Sequence, residues 1–339
     1  MEIIKTKAYA RAGLLGNPSD GYNGKTISLC IPQYYAQVTL YEWEQVEIVP
    51  CLEDQSQFES VGDLVHDVVL HGYYGGVRLI KASIKRFVEY CHAKGETLHN
   101  RNFSIRYETK IPRQVGMAGS SAIITATMRA LMKFYNVDIP PYLLASLVLS
   151  VEMQELHITA GLQDRVIQAY EGMVYMDFDK KKMKTIDGLT YGAYKRMTIP
   201  DDLPLYVAFK ADVSEPTEIF HNNLRARFDM GETAVVDAMK RFAQIAFDGK
   251  RALESHDYKT LNQLIDANFD LRRSICKLPA GQVEMIEVAR QCGASAKFAG
   301  SGGAIVGLYQ NPKILAELKK RLGQLGCSVE VIEGVGNRE

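Results

Sequence analysis

The chain has 339 residues, with 40 Lys and Arg against 40 Asp and Glu, and 47% of its residues are hydrophobic. This composition is typical of a globular protein, and the length predicts about two domains with room for a cleft between them, which favours an enzyme over a small adaptor. A formal charge of zero argues against nucleic acid as a partner, because phosphate backbones attract clustered Lys and Arg.

The first quarter of the chain contains short strand-like runs separated by the residue types of turns. These runs are residues 3–12, 26–30, 35–40 and 46–49, and they predict an antiparallel sheet. After Gly75 the apolar residues follow the spacing of one helix face, which predicts a helix of about five turns that ends at Gly95.

The middle of the chain alternates between strand and helix patterns up to residue 197. The predicted elements are a strand at 103–108, a loop at 112–119, helices at 120–135, 140–155 and 159–170, a strand at 173–178 and a polar hairpin at 180–197.

A second unit follows Pro200. It has a strand at 205–210, a helical block at 231–290 with breaks near Asp257 and Pro279, and then a strand, a glycine turn, a strand, a helix and a strand. We expect an α+β protein with domains at 1–195 and 196–339.

Neither the cysteines nor the apolar runs indicate export or membrane insertion. The six cysteines form no CxxC pair, so we expect reduced thiols and a cytoplasmic protein. The longest apolar run, residues 142–151, is half of the about 20 residues that a membrane span needs. We therefore expect no membrane partner, and the sequence leaves the oligomeric state open.

Residues 112–122, Pro-Arg-Gln-Val-Gly-Met-Ala-Gly-Ser-Ser-Ala, join a strand to a helix. Glycines allow a tight turn and close approach to a ligand, and the helix N-terminus attracts anions, so a polyphosphate fits this loop. Ser121 could offer its hydroxyl to Mg²⁺. The alternative is a Gly/Ser cap on an ordinary core helix. A second glycine turn, with Gly300, Gly302 and Gly303, could close over the same phosphates or form a bulge.

Three carboxylates are candidates for the chemistry. Glu152 and Glu155 lie on the helix before the segment that carries Asp164, and Asp164 falls in the first turn of the next helix, where the dipole stabilises an anion. Asp164 could accept a hydroxyl proton or orient that hydroxyl. The alternative is an ordinary solvent-facing aspartate.

Together these segments resemble the GHMP family of small-molecule kinases, and within it the glucuronokinase branch over nearly the whole chain. The matching segments are residues 11–20, 26–28, 74–79, 112–122, 160–166, 268–273 and 297–304. The chain differs from that branch in the turn Gly21-Tyr22-Asn23-Gly24 and in the loop 212–227. The resemblance implies an N-terminal, ATP-binding domain like domain 2 of ribosomal protein S5, a ferredoxin-like C-terminal domain and an active site between them.

The resemblance also implies roles for single residues. Asp164 is the expected catalytic residue, and Ser121 and Glu152 are the expected Mg²⁺ ligands; Glu152 is preferred to Glu155 because it lies twelve residues before Asp164. The expected ATP phosphate contacts are Pro112, Gly116, Met117, Ala118, Gly119, Ser120, Ser121, Ala122, Gly300, Ser301 and Gly302. The expected substrate contacts are Arg11, Asn17, Asp20, Tyr22, Arg165 and Arg272.

The implied reaction is ATP-dependent, Mg²⁺-assisted phosphorylation of the anomeric hydroxyl of D-glucuronic acid to glucuronic acid 1-phosphate. A guanidinium is the best partner for a uronate carboxylate, and the candidates are Arg165, Arg225, Arg227, Arg272 and Arg273. Two alternatives remain: a GHMP kinase for another sugar, such as galacturonic acid or a neutral hexose, and a sugar and ATP sensor without catalysis. The intact set of Ser121, Glu152 and Asp164 argues against the sensor.

Overall fold

The computed structural model describes residues 2–51, 54, 60, 61, 75–200, 202–210 and 218–334, with residues 218–223 described by their backbone. Residue 74 of the matching segment 74–79 and residues 212–217 of the divergent loop lie outside the described part. Within it, no helix is both long and apolar enough to cross a membrane.

The N-terminal half is built on a six-stranded sheet. Its strands and one separate hairpin are β1 (Ile3–Leu15), β2 (Lys25–Trp43), β3 (Glu47–Val49), β4 (Asn102–Thr109), β5 (Met173–Asp177), the hairpin β6 (Lys184–Ile186) and β7 (Leu189–Tyr191), and β8 (Ala193–Met197). The order is β3-β4-β2-β5-β8, with β1 also on β2, and the pairs are antiparallel except β3 with β4.

The long strand β2 corrects the prediction of two separate strands. Its pairing with β1 jumps from Tyr9 opposite Tyr35 to Ala10 opposite Ile31, so residues 32–34 form a bulge. Pro32 lies in this bulge, because proline has no N–H to give to the ladder. The strand continues on both sides of the bulge and pairs with β1, β4 and β5.

Helices cover this sheet and deliver the polar residues of interest. They are α1 (Gly76–Ala93), α2 (Gly119–Tyr135), α3 (Pro141–Ser150), a π turn (Val151–Glu155) and α4 (Gln163–Tyr170). The predicted helix at 140–155 is thus divided, and the predicted helix at 159–170 begins later, at Gln163.

The C-terminal half has its own antiparallel sheet, in the order β10-β11-β9-β12. Its elements are β9 (Leu205–Phe209), α5 (Glu218–Asp229), α6 (Thr233–Glu254), α7 (Tyr258–Ile275), α8 (Ala280–Gln291), β10 (Lys297–Phe298), β11 (Ala304–Leu308), α9 (Pro312–Gln324) and β12 (Ser328–Val331). The mixture of helices and antiparallel sheets confirms the α+β prediction. The division at 195/196 stays a prediction.

The two halves share one apolar core along the first sheet. Ile245 and Ala246 of α6 are buried in the same cluster as Leu15 and Ile27. A side chain at Gly249 of α6 would collide with Leu15, so glycine lets the helix lie directly on β1. This packing sets the C-terminal half against the end of β1, where the candidate site lies.

Candidate active site

The glycine-rich loop, residues 112–118, connects the end of β4 to the N-terminus of α2. The side chains of Val115 and Met117 are buried and anchor the loop in the core. Gln114, Gly116 and Ala118 have φ angles of +56°, +70° and +62°, so the backbone passes three times through the left-handed region before the helix begins. The unpaired amides and positive dipole of the helix N-terminus attract an anion here.

The glycine turn, residues 300–303, lies directly against the glycine-rich loop. A Cβ atom on Gly116 would lie 2.5 Å from the carbonyl oxygen of Gly302, and one on Gly303 would lie 2.9 Å from Cα of Val115. Backbone therefore packs on backbone, and a side chain at either position would separate the segments. The structure thus brings together the two glycine segments that the sequence analysis placed around phosphate.

Arg11, near the middle of β1, connects the glycine segments to Asp164. Its Nε and Nη2 donate to the two carboxylate oxygens of Asp164 at 2.6 and 2.9 Å, and Nη1 donates to the carbonyls of Gly116 at 2.6 Å and Ala299 at 3.1 Å. Arg11 is 6% exposed. A two-point pair with a planar guanidinium fixes both the position and the rotation of the Asp164 carboxylate. In this structure, Arg11 contacts Asp164 and the loop backbones.

Asp20 fixes the helix that carries Asp164. Its Oδ2 accepts the amides of Leu162 at 2.8 Å and Gln163 at 3.2 Å, so it caps α4 from 142 residues earlier in the chain. Asp20 is 3% exposed. Burial and, to a smaller extent, the charge of Asp164 raise the pKa of Asp20 to about 6. The helix amides and Arg11 act in the opposite direction and lower this pKa. Because α4 begins at this cap, Asp164 lies in its first turn, near the positive end of the helix dipole.

Glu152 is fully buried on the π turn and belongs to the same cluster. It forms an ion pair with Arg165, which also donates to the carbonyl of Gly161 at 2.7 Å. Burial raises the pKa of the Glu152 carboxyl, and Arg165 opposes that shift. Glu155 instead pairs with the exposed Lys85 at 2.8 Å. Of the two glutamates, Glu152 is the one that contacts the first turn of α2.

Two serines follow the glycine-rich loop, and Ser120 is the one that contacts Glu152. Its Oγ donates to Glu152 Oε1 at 2.9 Å, whereas Ser121 is buried and donates to the carbonyl of Ala118 at 3.2 Å. Mg²⁺ prefers carboxylate, hydroxyl and phosphate oxygens, so Ser120 and Glu152 form a suitable oxygen pair. Across the described ranges, no three His, Cys, Asp or Glu residues gather as a metal cluster.

The remaining predicted substrate contacts are held by protein groups. Arg272 is buried and donates to the carbonyls of Gly300 and Ser301 at 2.7 and 2.8 Å. Asn17 accepts a hydrogen bond from Lys297 at 2.7 Å. Tyr22 packs its ring against Phe228, with centroids 4.8 Å apart, in an apolar cluster of the C-terminal helices. Their substrate roles stay predictions.

Lys297 is a buried cation to which the sequence analysis assigned no role. It is 1% exposed, and its Nζ donates to the carbonyls of Gly13 and Phe298 and to the side chain of Asn17. Burial, together with the charges of Arg272 and Arg11, lowers its pKa well below the usual value. The sequence signal that could have identified Lys297 is its position between the apolar residues Ala296 and Phe298, on the strand predicted before the glycine turn. Lys297 joins the C-terminal sheet to β1, through Gly13, and to the loop after β1, through Asn17.

The chain matches two family models and is similar to two plant proteins. Residues 78–172 match the model of the GHMP kinases N terminal domain, and residues 250–326 match that of GHMP kinases C terminal. The chain is 43% identical to glucuronokinase 1 of Arabidopsis thaliana over 89% of this chain and 84% of that protein. It is 41% identical to probable glucuronokinase 2 of the same plant over 99% of this chain and 93% of that protein.

Solved structures share the fold at low sequence identity. The phosphomevalonate kinase of Streptococcus pneumoniae superposes with a TM-score of 0.76 at 16% identity, covering 98% of this chain and all of that one. The galactokinase of Lactococcus lactis, solved with galactose, gives a TM-score of 0.72 at 12% identity over 99% of this chain and 94% of that one. The two-domain arrangement and its mixed layers are therefore those of these kinases.

Proposed function

The chain belongs to the GHMP kinases, and from this premise we propose that it transfers the γ-phosphoryl group of ATP to the anomeric hydroxyl of D-glucuronate, giving glucuronate 1-phosphate. The observation that carries the proposal is the Arg11 pair with Asp164, which holds a carboxylate next to the glycine-rich loop. The similarity to glucuronokinases supports the acceptor.

Asp164 is the proposed catalytic residue. Phosphoryl transfer depends on alignment and charge neutralisation, and a carboxylate in a fixed orientation can align the attacking hydroxyl by accepting its hydrogen bond. The new bond forms between the acceptor oxygen and the γ-phosphorus, the bond to the β,γ-bridging oxygen breaks, and ADP leaves. The hydroxyl proton then has an acceptor in the Asp164 carboxylate. Arg11 prevents this carboxylate from rotating out of line.

The proposed phosphate site combines the N-terminus of α2 with the glycine turn. The helix end supplies amides and a positive dipole, and the glycines allow the polyphosphate to approach the backbone. Arg272 and Lys297 are buried behind the turn, and both donate to neutral oxygens. Among the residues that the structure describes, no carboxylate oxygen lies within 4.0 Å of the charged nitrogens of either side chain, so the protein does not neutralise their positive charge. A polyanion is the ligand that this environment favours.

Ser120 and Glu152 are the proposed protein ligands of Mg²⁺, with Ser121 next to them. When bound, the ion would neutralise charge on the phosphate oxygens. Arg165 holds Glu152 from its other carboxylate oxygen and so leaves Oε1, the oxygen that Ser120 contacts, oriented toward the loop.

An acceptor screen tests the proposal directly. Purified protein would be assayed for ATP consumption with D-glucuronate, D-galacturonate, D-glucose, D-galactose, homoserine and mevalonate, and the product examined by phosphorus NMR for an anomeric phosphate. We expect the highest kcat/KM with D-glucuronate. A preference for galacturonate or a neutral hexose would overturn the acceptor and leave the kinase assignment intact. ATP binding without turnover of any acceptor would favour the sensor.

A further inference from the structure

A kinase for D-glucuronate needs a cation for the substrate carboxylate, and the following inference rests on the proposed function. A guanidinium with donors still available is the best such cation, because it can meet both carboxylate oxygens. In the pyranose, C5 carries the carboxylate and is joined to C1 through the ring oxygen alone. The arginine must therefore lie close to the residues around Asp164.

Three buried arginines of the cluster are already committed to protein partners. Arg11 uses both sides of its guanidinium on Asp164 and on backbone carbonyls. Arg165 pairs with Glu152, and Arg272 holds two carbonyls of the glycine turn. Recruiting any of them would break an existing buried interaction, at the cost of leaving its partner unpaired.

Two other arginines of the C-terminal half are also poorly suited. Arg227 makes a two-point pair with Glu232 at 2.6 and 2.7 Å and donates to the carbonyl of Ile275. Arg273 pairs with Glu287 at 3.0 Å, with both side chains about half exposed. The carboxylate partner of each would have to be displaced.

Arg225, on α5, differs from these two arginines because, among the residues that the structure describes, it makes no hydrogen bond to a carboxylate. Its Nη2 donates to the carbonyl of Gly21 at 2.7 Å, and its guanidinium carbon lies 4.6 Å from the centre of the Tyr22 ring. The carboxylate of Asp229 is 3.8 Å from Nη1, beyond hydrogen-bonding distance, and the Arg225 side chain is 50% exposed. The guanidinium is therefore oriented by a carbonyl and a ring while it keeps donors for a ligand.

Arg225 is connected to the helix that carries Asp164. Gly21 directly follows Asp20, and Asp20 caps the helix on which Asp164 lies. Tyr22 is fixed by its edge-on contact with Phe228, so the surface on which Arg225 rests is itself held in place. Arg225 is thus linked to α4 through its hydrogen bond to Gly21, the peptide bond between Gly21 and Asp20, and the hydrogen bonds of Asp20 to the start of the helix.

We infer that Arg225 binds the C6 carboxylate of the sugar acid and so determines the preference for a uronate over a neutral sugar. Gly21 and Tyr22 orient its guanidinium, and Asp164 holds the anomeric hydroxyl on the neighbouring side of the ring. This assignment also gives a role to the turn at residues 21–24, where the chain departs from the glucuronokinase pattern.

The test compares D-glucuronate with its neutral isostere D-glucuronamide as acceptors for the parent, Arg225→Gln, Arg225→Lys and the control Arg273→Gln. In Arg225→Gln we expect kcat/KM for glucuronate to fall roughly 10- to 150-fold, the range of a charge-assisted hydrogen bond. The loss should lie mainly in KM, because the carboxylate does not react. With glucuronamide, Arg225→Gln should stay within about three-fold of the parent. Arg273→Gln should resemble the parent with both acceptors.

Arg225→Lys keeps the charge and the apolar stem, so it tests the inference even if Arg225→Gln folds poorly. It should retain part of the preference for glucuronate, because a lysine offers one ammonium where arginine offers a two-point contact. An unchanged ratio of glucuronate to glucuronamide in a folded Arg225 variant would overturn the inference and leave the proposed function standing. A parent enzyme that does not phosphorylate glucuronate would overturn the proposed function itself, and this inference with it.

Discussion

Replacing Asp164 with asparagine should separate two contributions of this residue. As the proposed catalytic group, Asp164 aligns the acceptor hydroxyl. As the partner of Arg11, it neutralises a cation whose side chain is 7% exposed. Asparagine keeps the shape and one oxygen, but it removes the negative charge and turns an NH₂ group toward guanidinium donors.

Asp164→Asn should affect both catalysis and stability. Loss of a positioned acid/base group lowers kcat by about 10²- to 10⁴-fold. The buried guanidinium of Arg11 would retain the carbonyls of Gly116 and Ala299 as acceptors but lose both charge-assisted bonds to the carboxylate. Breaking one side of a buried ion pair costs about 3–5 kcal/mol of unfolding free energy. ATP affinity should change little, since Asp164 is not among the proposed phosphate contacts.

The assay measures kcat, ATP affinity and urea unfolding for the parent, Asp164→Asn, Arg11→Met and the double variant. Removing both partners takes away the unpaired cation, so the double variant should be more stable than Asp164→Asn while it stays inactive. Activity of Asp164→Asn within a few-fold of the parent would exclude Asp164 from the mechanism. A double variant no more stable than Asp164→Asn would refute the account of Arg11 as a cation stabilised by this carboxylate.

Three further changes test other parts of the site. Glu152→Gln should raise the Mg²⁺ concentration for half-maximal activity, and Glu155→Gln should not; the reverse in a magnesium titration would move the ligand by one turn. Gly116→Ala should raise KM for ATP and lower stability by at least about 1 kcal/mol, because the new methyl group meets the glycine turn, whereas Gly188→Ala, also at positive φ but in open space, should leave KM unchanged. Asp20 has its pKa raised from 3.8 to about 6, so it stabilises the fold most below pH 3.8 and this contribution is lost as pH rises through 6. Relative to Asp20→Asn, the unfolding free energy of the parent should fall by about 2–3 kcal/mol from pH 4 to pH 7, and a pH-independent difference would contradict this.

Elements with a clear apolar period were predictable from the sequence. The helix that ends before Gly95 and the helix after the glycine-rich loop both lie within about one residue of their predicted limits, because one face of each packs on the sheet. The predicted helix at 159–170 is shorter in the structure. Its start is set by the carboxylate of Asp20, 142 residues away from Leu162, and local patterns contain no such information.

The candidate site was predictable in its motifs and unpredictable in its partners. The glycine segments and Asp164 can be identified in the sequence because together they form motifs that resemble those of the GHMP kinases. The arginines are not distinguished in that way, since each one could pair with a substrate or with the protein. The structure separates them by their contacts: Arg165 is paired with Glu152, and Arg225 retains donors.

The contacts between the two halves explain why the candidate site needs both halves of the chain. From the C-terminal side, Lys297 donates to the carbonyl of Gly13 and to Asn17, while Arg272 holds the glycine turn, and their acceptors are neutral oxygens. Burying cations without an anion costs free energy. Under the proposed function, the polyphosphate of ATP supplies negative charge beside this turn and reduces that cost. Nucleotide binding and the packing of the two halves should therefore stabilise each other, because a favourable coupling between two equilibria acts equally in both directions.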